Sequence, residues 1–405
     1  MLSLAHKALI DVVTWLPMVT LIITIHELGH YSVARACGVA VERFSIGFGP
    51  TLVSWRARSG TEWRIAWFML GGYVRFAGDQ NAASVPDAAD LAELRAQIVA
   101  EEGPGAERKY FAFKPVWQRA LVVAAGPAAN FLLAIALFAI LLGVFGEMVE
   151  PARVDAFSPG SAAARAGLHV GDVIVQAGDR PINSFEDLVE YVSYRARINA
   201  VFDVERGGRR LEIPVTIGER LDDDPVMGKR LVGSLGVITQ PKITDFRHVK
   251  YGPLQAIAGG AGKSWDILST TVFYLGRMVT GQVSASQIGG PLRTVQLSGN
   301  VATAMAHDVV DPRMKVVAVV VGLAQLAGFI SVSVGFLNLL PIPILDGGHL
   351  LFYAYEAVVR RPVAAGVQAI GYRVGLALLL GLMLFATTND LQRSNVFHFL
   401  GGPFS

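Results

Sequence analysis

Four apolar stretches, each long enough to cross a bilayer as a helix, constrain this 405-residue chain more than any other feature. A hydrocarbon core about 30 Å thick takes roughly 20 apolar residues at helical rise. The first stretch runs from about Leu9 to Tyr31, and the second, VWQRALVVAAGPAANFLLAIALFAILLGVFG, from 116 to 146. The third, VVAVVVGLAQLAGFISVSVGFLNLL, covers 316 to 340, and the fourth lies near 364 to 386. A composition 52% hydrophobic and only 17% charged, with mean hydropathy +0.45, is too apolar for an ordinary soluble protein. The expected fold class is a polytopic α-helical membrane protein.

Charge sets its orientation. Arg35, Arg43, Arg56, Arg58, Arg64 and Arg75 lie between the first and second stretches, and Arg360 and Arg361 follow the third. The positive-inside rule then puts both loops in the cytoplasm and both termini outside. A net charge of +2 with no Lys/Arg run gives no face for nucleic acid. The single cysteine, Cys37, excludes an intramolecular disulfide and a cysteine-based zinc site, and reads as a small packed residue. Lys7, the first apolar run and Ala34-Arg35-Ala36 have the outline of a signal peptide. His26, Glu27 and His30 interrupt that run where unbroken hydrophobicity is wanted, so the segment is expected to stay as a span.

The largest polar block, 148–240, reads as a separate α+β domain. Gly171-Asp172 and Gly178-Asp179 bracket the short strand VIVQA, and Ser184 with Asp187 three residues on marks a helix start. Phe185, Leu188, Val189 and Val192 then follow one helical face, and VFDVERGGRRLEIPVTI reads as a hairpin around Gly207-Gly208. This order, with the turn-rich SPGSAAARAGLHVGD, resembles a PDZ domain of the bacterial protease-associated type, which takes up extended segments or chain ends at a sheet edge. A spacer that binds nothing is the plainer alternative. Within 241–314, the run from Lys263 to Arg277 mixes apolar and charged residues and is expected to be an amphipathic helix on the outer membrane surface or packed on protein.

LIITIHELGH poses the chemical question, because a carboxylate between two imidazoles is costly in hydrocarbon and points to function. On a helix, His26 and His30 share a face and can reach one zinc ion, while Glu27 stands close enough to act as a base without being a ligand. A catalytic zinc wants a third protein ligand and an open position. Far downstream, in NLLPIPILDGGH, Asp346 follows the third stretch by a few residues and falls at the same cytoplasmic level as HELGH. Pro341 and Pro343 end the helix, and Gly347-Gly348 let the chain turn tightly. His349 is an alternative ligand, set behind Asp346. A satisfied core histidine pair, or a capping aspartate at a helix exit, is the structural alternative for each motif read alone.

Together, HExxH in the first span, a PDZ-like insert and NxxPxPxLDGGH after the third span resemble the site-2 protease family of intramembrane zinc metalloproteases, most of all its RseP-like (regulator of sigma-E protease) branch. FSIGFGP (44–50), GGYVRFAGD (71–79), AAGPAANF (124–131) and IGGPL (288–292) agree, so the resemblance covers most of the chain. It implies Zn2+ held by His26, His30 and Asp346, Glu27 as general base, and Asn338 contacting the substrate backbone. It implies a re-entrant β-hairpin between the first two spans, and WRIAWFMLGGYVRF is strand-like and too short to cross. Met69 stands where relatives usually have Pro, and one PDZ-like domain stands where this branch often has two.

The expected organisation is a first span (1–35), a cytoplasmic or re-entrant hairpin region (36–114), a second span (115–147), the PDZ-like domain (148–240), the amphipathic region (241–314), a third span with LDG (315–350), and a fourth span with tail (351–405). The implied function is cleavage of transmembrane segments of single-span proteins, an anti-sigma factor or leftover signal peptides, after a first cut by a site-1 type protease. The implied place is the bacterial inner membrane, with the PDZ-like domain periplasmic. A metal transporter or a catalytically silent PDZ scaffold are the rival classes. Neither requires Glu beside the first His.

Overall fold

A computed structural model describes residues 2–78, 88–224, 228–240, 246–282, 289–307 and 309–393. Asp79 of GGYVRFAGD, Ile288 of IGGPL and the tail beyond Arg393 lie outside the described residues. In chain order the α-helices are α1 (Leu2–Ala36), α2 (Ala88–Glu102), α3 (Val116–Phe145), α4 (Ala162–Ala166) and α5 (Phe185–Ser193). They continue with α6 (Pro253–Val279), α7 (Pro291–His307), α8 (Pro312–Asn338), α9 (Asp346–Val359) and α10 (Ala365–Arg393). Four of these, α1, α3, α8 and α10, are long and apolar enough to cross a membrane, which makes this a multi-pass membrane protein.

Within 315–350 stand most of α8, the loop that carries Pro341 and Pro343, and the start of α9. Asp311 caps α8 by accepting the Arg313 N–H, with Pro312 in the first turn, where its missing N–H costs nothing. Pro341 and Pro343 cannot continue α8, so the chain leaves it after Asn338 and restarts at Asp346. The fourth span is therefore α10, and α9 is a separate helix before it.

The chain divides into two compact units. The first holds residues 1–138, 260–269 and 284–405. Its core joins α1 to α8 through Met18, Ile22, Leu326 and Ala327, and α3 to α8 through Ala134, Phe138 and Val332. Ile267 and Leu268 of α6 pack on this second cluster, so part of the stretch expected on the membrane surface or on protein lies against protein. Helix α7 lies along α1 through polar contacts: Thr14 and Ser298 share a hydroxyl hydrogen bond of 3.0 Å, and Lys7 reaches both Asp11 and Asn300. Asp390 of α10 accepts the Gly290 and Arg293 N–H groups that open α7, at 3.0 and 2.9 Å.

Between α1 and α3, β1 (Val41–Arg56) and β2 (Glu62–Phe76) form more than the simple hairpin expected. Phe44 stands opposite both Val74 and Trp63, because β1 folds back between Ile46 and Thr51 and β2 between Ala66 and Gly72. Residues 43–46 therefore lie between 72–75 and 62–65, and 51–56 pair back on 62–66. At the second bend the Thr20 hydroxyl donates to the Met69 carbonyl at 2.7 Å, so α1 holds the turn that lacks proline.

The second unit holds residues 139–259 and 270–283. Strands Arg180–Pro181, Val173–Ala177, Asn199–Arg206 and Arg209–Thr216 form its four-stranded antiparallel sheet in that order. Helix α5 covers a core of Ile174, Leu188, Val192, Phe202, Val204 and Val215. Its capping box is complete: Ser184 accepts the Asp187 N–H and Asp187 accepts that of Ser184. From the end of α6, Arg277 donates to the Tyr194 and Ala196 carbonyls at 2.7 and 2.8 Å. Arg277, one of the charges of this amphipathic stretch, is thus spent on protein.

Asp172 is fully buried in this unit and accepts Nε and Nη2 of Arg206 at 2.7 and 2.8 Å, plus the His169 N–H at 2.8 Å. The Arg206 guanidinium holds its carboxyl below the usual carboxylate range. A carboxyl depressed on folding stabilises above its unfolded pKa, about 3.9, and loses that contribution as pH falls through the folded value. Asp172→Asn is expected to lower the melting temperature of this unit by about 4–8 °C at neutral pH, with the difference from wild type shrinking below pH 4. Thermal melts followed across pH check this.

Candidate active site

The site is built where α1, α3 and the start of α9 meet. His26 and His30, one turn apart near the cytoplasm-facing end expected for α1, bring their Nε2 atoms to 3.1 Å. Asp346 Oδ2 lies 3.2 Å from His26 Nε2 and 3.6 Å from His30 Nε2. These three are the described residues that could hold one metal ion.

The donor set fits zinc. In a tetrahedral site with bonds of about 2.0–2.1 Å, ligand atoms stand about 3.3–3.4 Å apart, which this triangle matches. Asp346 Oδ2 is buried and makes no hydrogen bond, as an oxygen facing a cation would be. A third observation comes from α3. A Cβ built on Gly126 would lie 2.3 Å from His30 Nε2 and 2.8 Å from His26 Nε2, so the absent side chain leaves the space in front of both nitrogens open.

The far end of each imidazole is also engaged. His30 Nδ1 lies 2.9 Å from the Val122 carbonyl, which can only accept, so that nitrogen carries the proton and Nε2 keeps its lone pair for a metal. His26 Nδ1 meets the Asn130 side chain at 3.2 Å.

Asp346 is aimed by the loop before it. Leu345 accepts the N–H groups of Gly348 and His349, closing the first turn of α9. A Cβ on Gly347 would lie 2.2 Å from the Leu339 carbonyl, and one on Gly348 2.3 Å from that of Ile342. Only glycine lets the helix start seat this deeply against the loop. At the other end of α9, Glu356 accepts Arg119 of α3 at 2.6 Å.

Gly72 lies so close to Glu27 that a Cβ there would stand 3.4 Å from its Cγ, so the 72–76 edge of the sheet runs beside it. Asn338 is the last residue of α8, half-buried at the head of the loop that ends in Asp346. His349 follows Asp346 by one turn but stands outside the cluster, with Nδ1 3.3 Å from the Tyr372 hydroxyl. The roles of Gly126 and Asn130 were not assigned from the sequence, although both lie in AAGPAANF. Spacing along α3 carries no sign of what crosses it.

Residues 14–382 match the model of peptidase family M50. The chain is 47% identical over 399 residues to the metalloprotease MmpA of Caulobacter vibrioides, across 98% of this chain and 99% of that one. It is 40% identical over 381 residues to a protein of Agrobacterium fabrum, covering 94% of this chain and 95% of that one. A protein of Rhizobium meliloti is also 40% identical, over 379 residues, or 94% and 96% of the two chains. The names of both provisionally assign them to the zinc metalloproteases. Kinship over nearly the whole length, in a chain whose paired imidazoles meet a distant aspartate, places this protein in peptidase family M50, the site-2 protease family, as a zinc metalloprotease.

Proposed function

We propose that this metalloprotease cuts the transmembrane segments of single-span membrane proteins, after another protease has shortened their outer part. The observation that carries the reading is the convergence of His26, His30 and Asp346 among membrane-length helices, with Glu27 and a sheet edge beside them. His26, His30 and Asp346 would hold the zinc, which supplies Lewis-acid activation of water and of the scissile carbonyl.

Glu27 takes the proton from the attacking water and delivers it to the departing amine as the C–N bond breaks. A helix must unwind before its amide can be attacked. The 72–76 edge, next to Glu27, offers backbone groups to an extended substrate, and Asn338 would bind its main chain from the other side. Trp67, Phe68 and Leu70 at the bend of β2 are exposed, which suits a sheet that dips into lipid.

In this reading the active site lies toward the cytoplasmic side of a bacterial inner membrane, with the termini and the PDZ-like second unit periplasmic. That unit excludes substrates with intact outer domains or holds a freshly exposed chain end. An anti-sigma factor and leftover signal peptides are the substrate classes. The test is incubation of detergent-solubilised protein with a panel of single-span substrates, with and without their outer domains. Product masses falling inside the apolar segment, and only for shortened substrates, are expected. Cuts confined to soluble loops would overturn the proposal.

A further inference from the structure

Asn130 sits on α3, is 0% exposed, and leaves its side-chain Oδ1 without a hydrogen-bond partner. Its Nδ2 lies 3.2 Å from His26 Nδ1. That arrangement conflicts with the chemistry of the site. If Nε2 of His26 gives its lone pair to zinc, a neutral ring must carry its proton on Nδ1, which then needs an acceptor. An amide NH2 accepts nothing, so two donors would face each other while a buried oxygen went unused. Amide oxygen and nitrogen have nearly the same shape, and which is which follows from the bonding around them. Turning the amide over puts Oδ1 at Nδ1–H and moves the NH2, with both its donors, to where Oδ1 stood.

We infer that Asn130 is a positioning residue of the metal centre, its side-chain oxygen accepting the His26 Nδ1–H and fixing the tautomer that presents Nε2 to zinc. The inference rests on the reading of His26 as a ligand. It gives both imidazoles the same device, since the Val122 carbonyl serves His30 in this way. The backbone around Asn130 is held in place. The Ser331 hydroxyl donates to the Asn130 carbonyl at 2.8 Å, and Gly335 brings α8 so close that a Cβ there would lie 3.3 Å from that of Asn130. Asn130 touches neither substrate nor zinc; it acts through His26.

The test compares Asn130→Asp, Asn130→Leu and His26→Gln in the full-length, detergent-solubilised protein. Zinc is titrated against a competing chelator, and apo-protein melting is followed alongside. Asp keeps an acceptor and has no donor, so it should hold zinc within about threefold of wild type. Leu has the volume without the acceptor and should weaken zinc binding about 10–100-fold with little change in apo-protein melting. Loss of zinc by the Asp variant would mean that the amide nitrogen faces His26, and would overturn the inference even if the Leu variant failed to fold. Wild-type affinity in a folded Leu variant would overturn it as well. Wild-type affinity in His26→Gln would instead remove the ligand assignment on which the inference stands.

Discussion

Glu27→Gln should lower cleavage by about 10²–10⁴-fold or more while zinc stays bound at wild-type stoichiometry. Glutamine keeps the size of the side chain beside Gly72, so the edge strand and α1 should hold their places. What it loses is the capacity to take a proton from water and return it to the leaving amine. His26, His30 and Asp346 are untouched, and their mutual distances of 3.1–3.6 Å would suit a metal without Glu27. Metal content and product mass, measured on the same preparation, separate the two effects. Loss of zinc in this variant would make Glu27 a ligand, and full activity would remove it from the mechanism.

Gly126→Ala should cost the protein its metal through one methyl group. That methyl would stand 2.3 Å from His30 Nε2 and 2.5 Å from its Cε1, inside contact distance and in front of the atoms that would face zinc. The rings cannot withdraw easily, since His30 is tied to the Val122 carbonyl and His26 to Asn130. Zinc content and cleavage should both fall to background, while helix content stays near wild type because alanine favours a helix. Gly143→Ala, on the same helix, is the control. Its new Cβ would meet only Ala256 Cβ at 3.5 Å, an ordinary contact, and metal and activity should not change. A Gly126→Ala protein with full zinc would mean that the imidazoles bind metal elsewhere.

Several elements were legible because they are local. A run such as LLAIALFAILLGVF in α3 can satisfy its backbone in lipid only as a helix, and Ser184 with Asp187 spells the start of α5 in four residues. The folded-back sheet was less legible. Its pairing of 43–46 with both 62–65 and 72–75 depends on two bends whose angles no alternation pattern records. The break between α8 and α9 could be read from Pro341 and Pro343 as the end of a helix, but not as the start of another at Asp346.

The same division runs through the site. HELGH by itself determined that two imidazoles and a carboxylate share neighbouring positions on one helix, since 3.6 residues per turn leaves no other geometry. NLLPIPILDGGH determined that a carboxylate follows a helix exit. That Asp346 comes within 3.2 Å of His26, that Gly126 clears the space before both rings and that Asn130 stands behind one of them were decided by how three helices cross. Such crossings are set by the shapes of packed side chains from segments far apart in the chain, a sum over the whole fold that no short window of sequence contains.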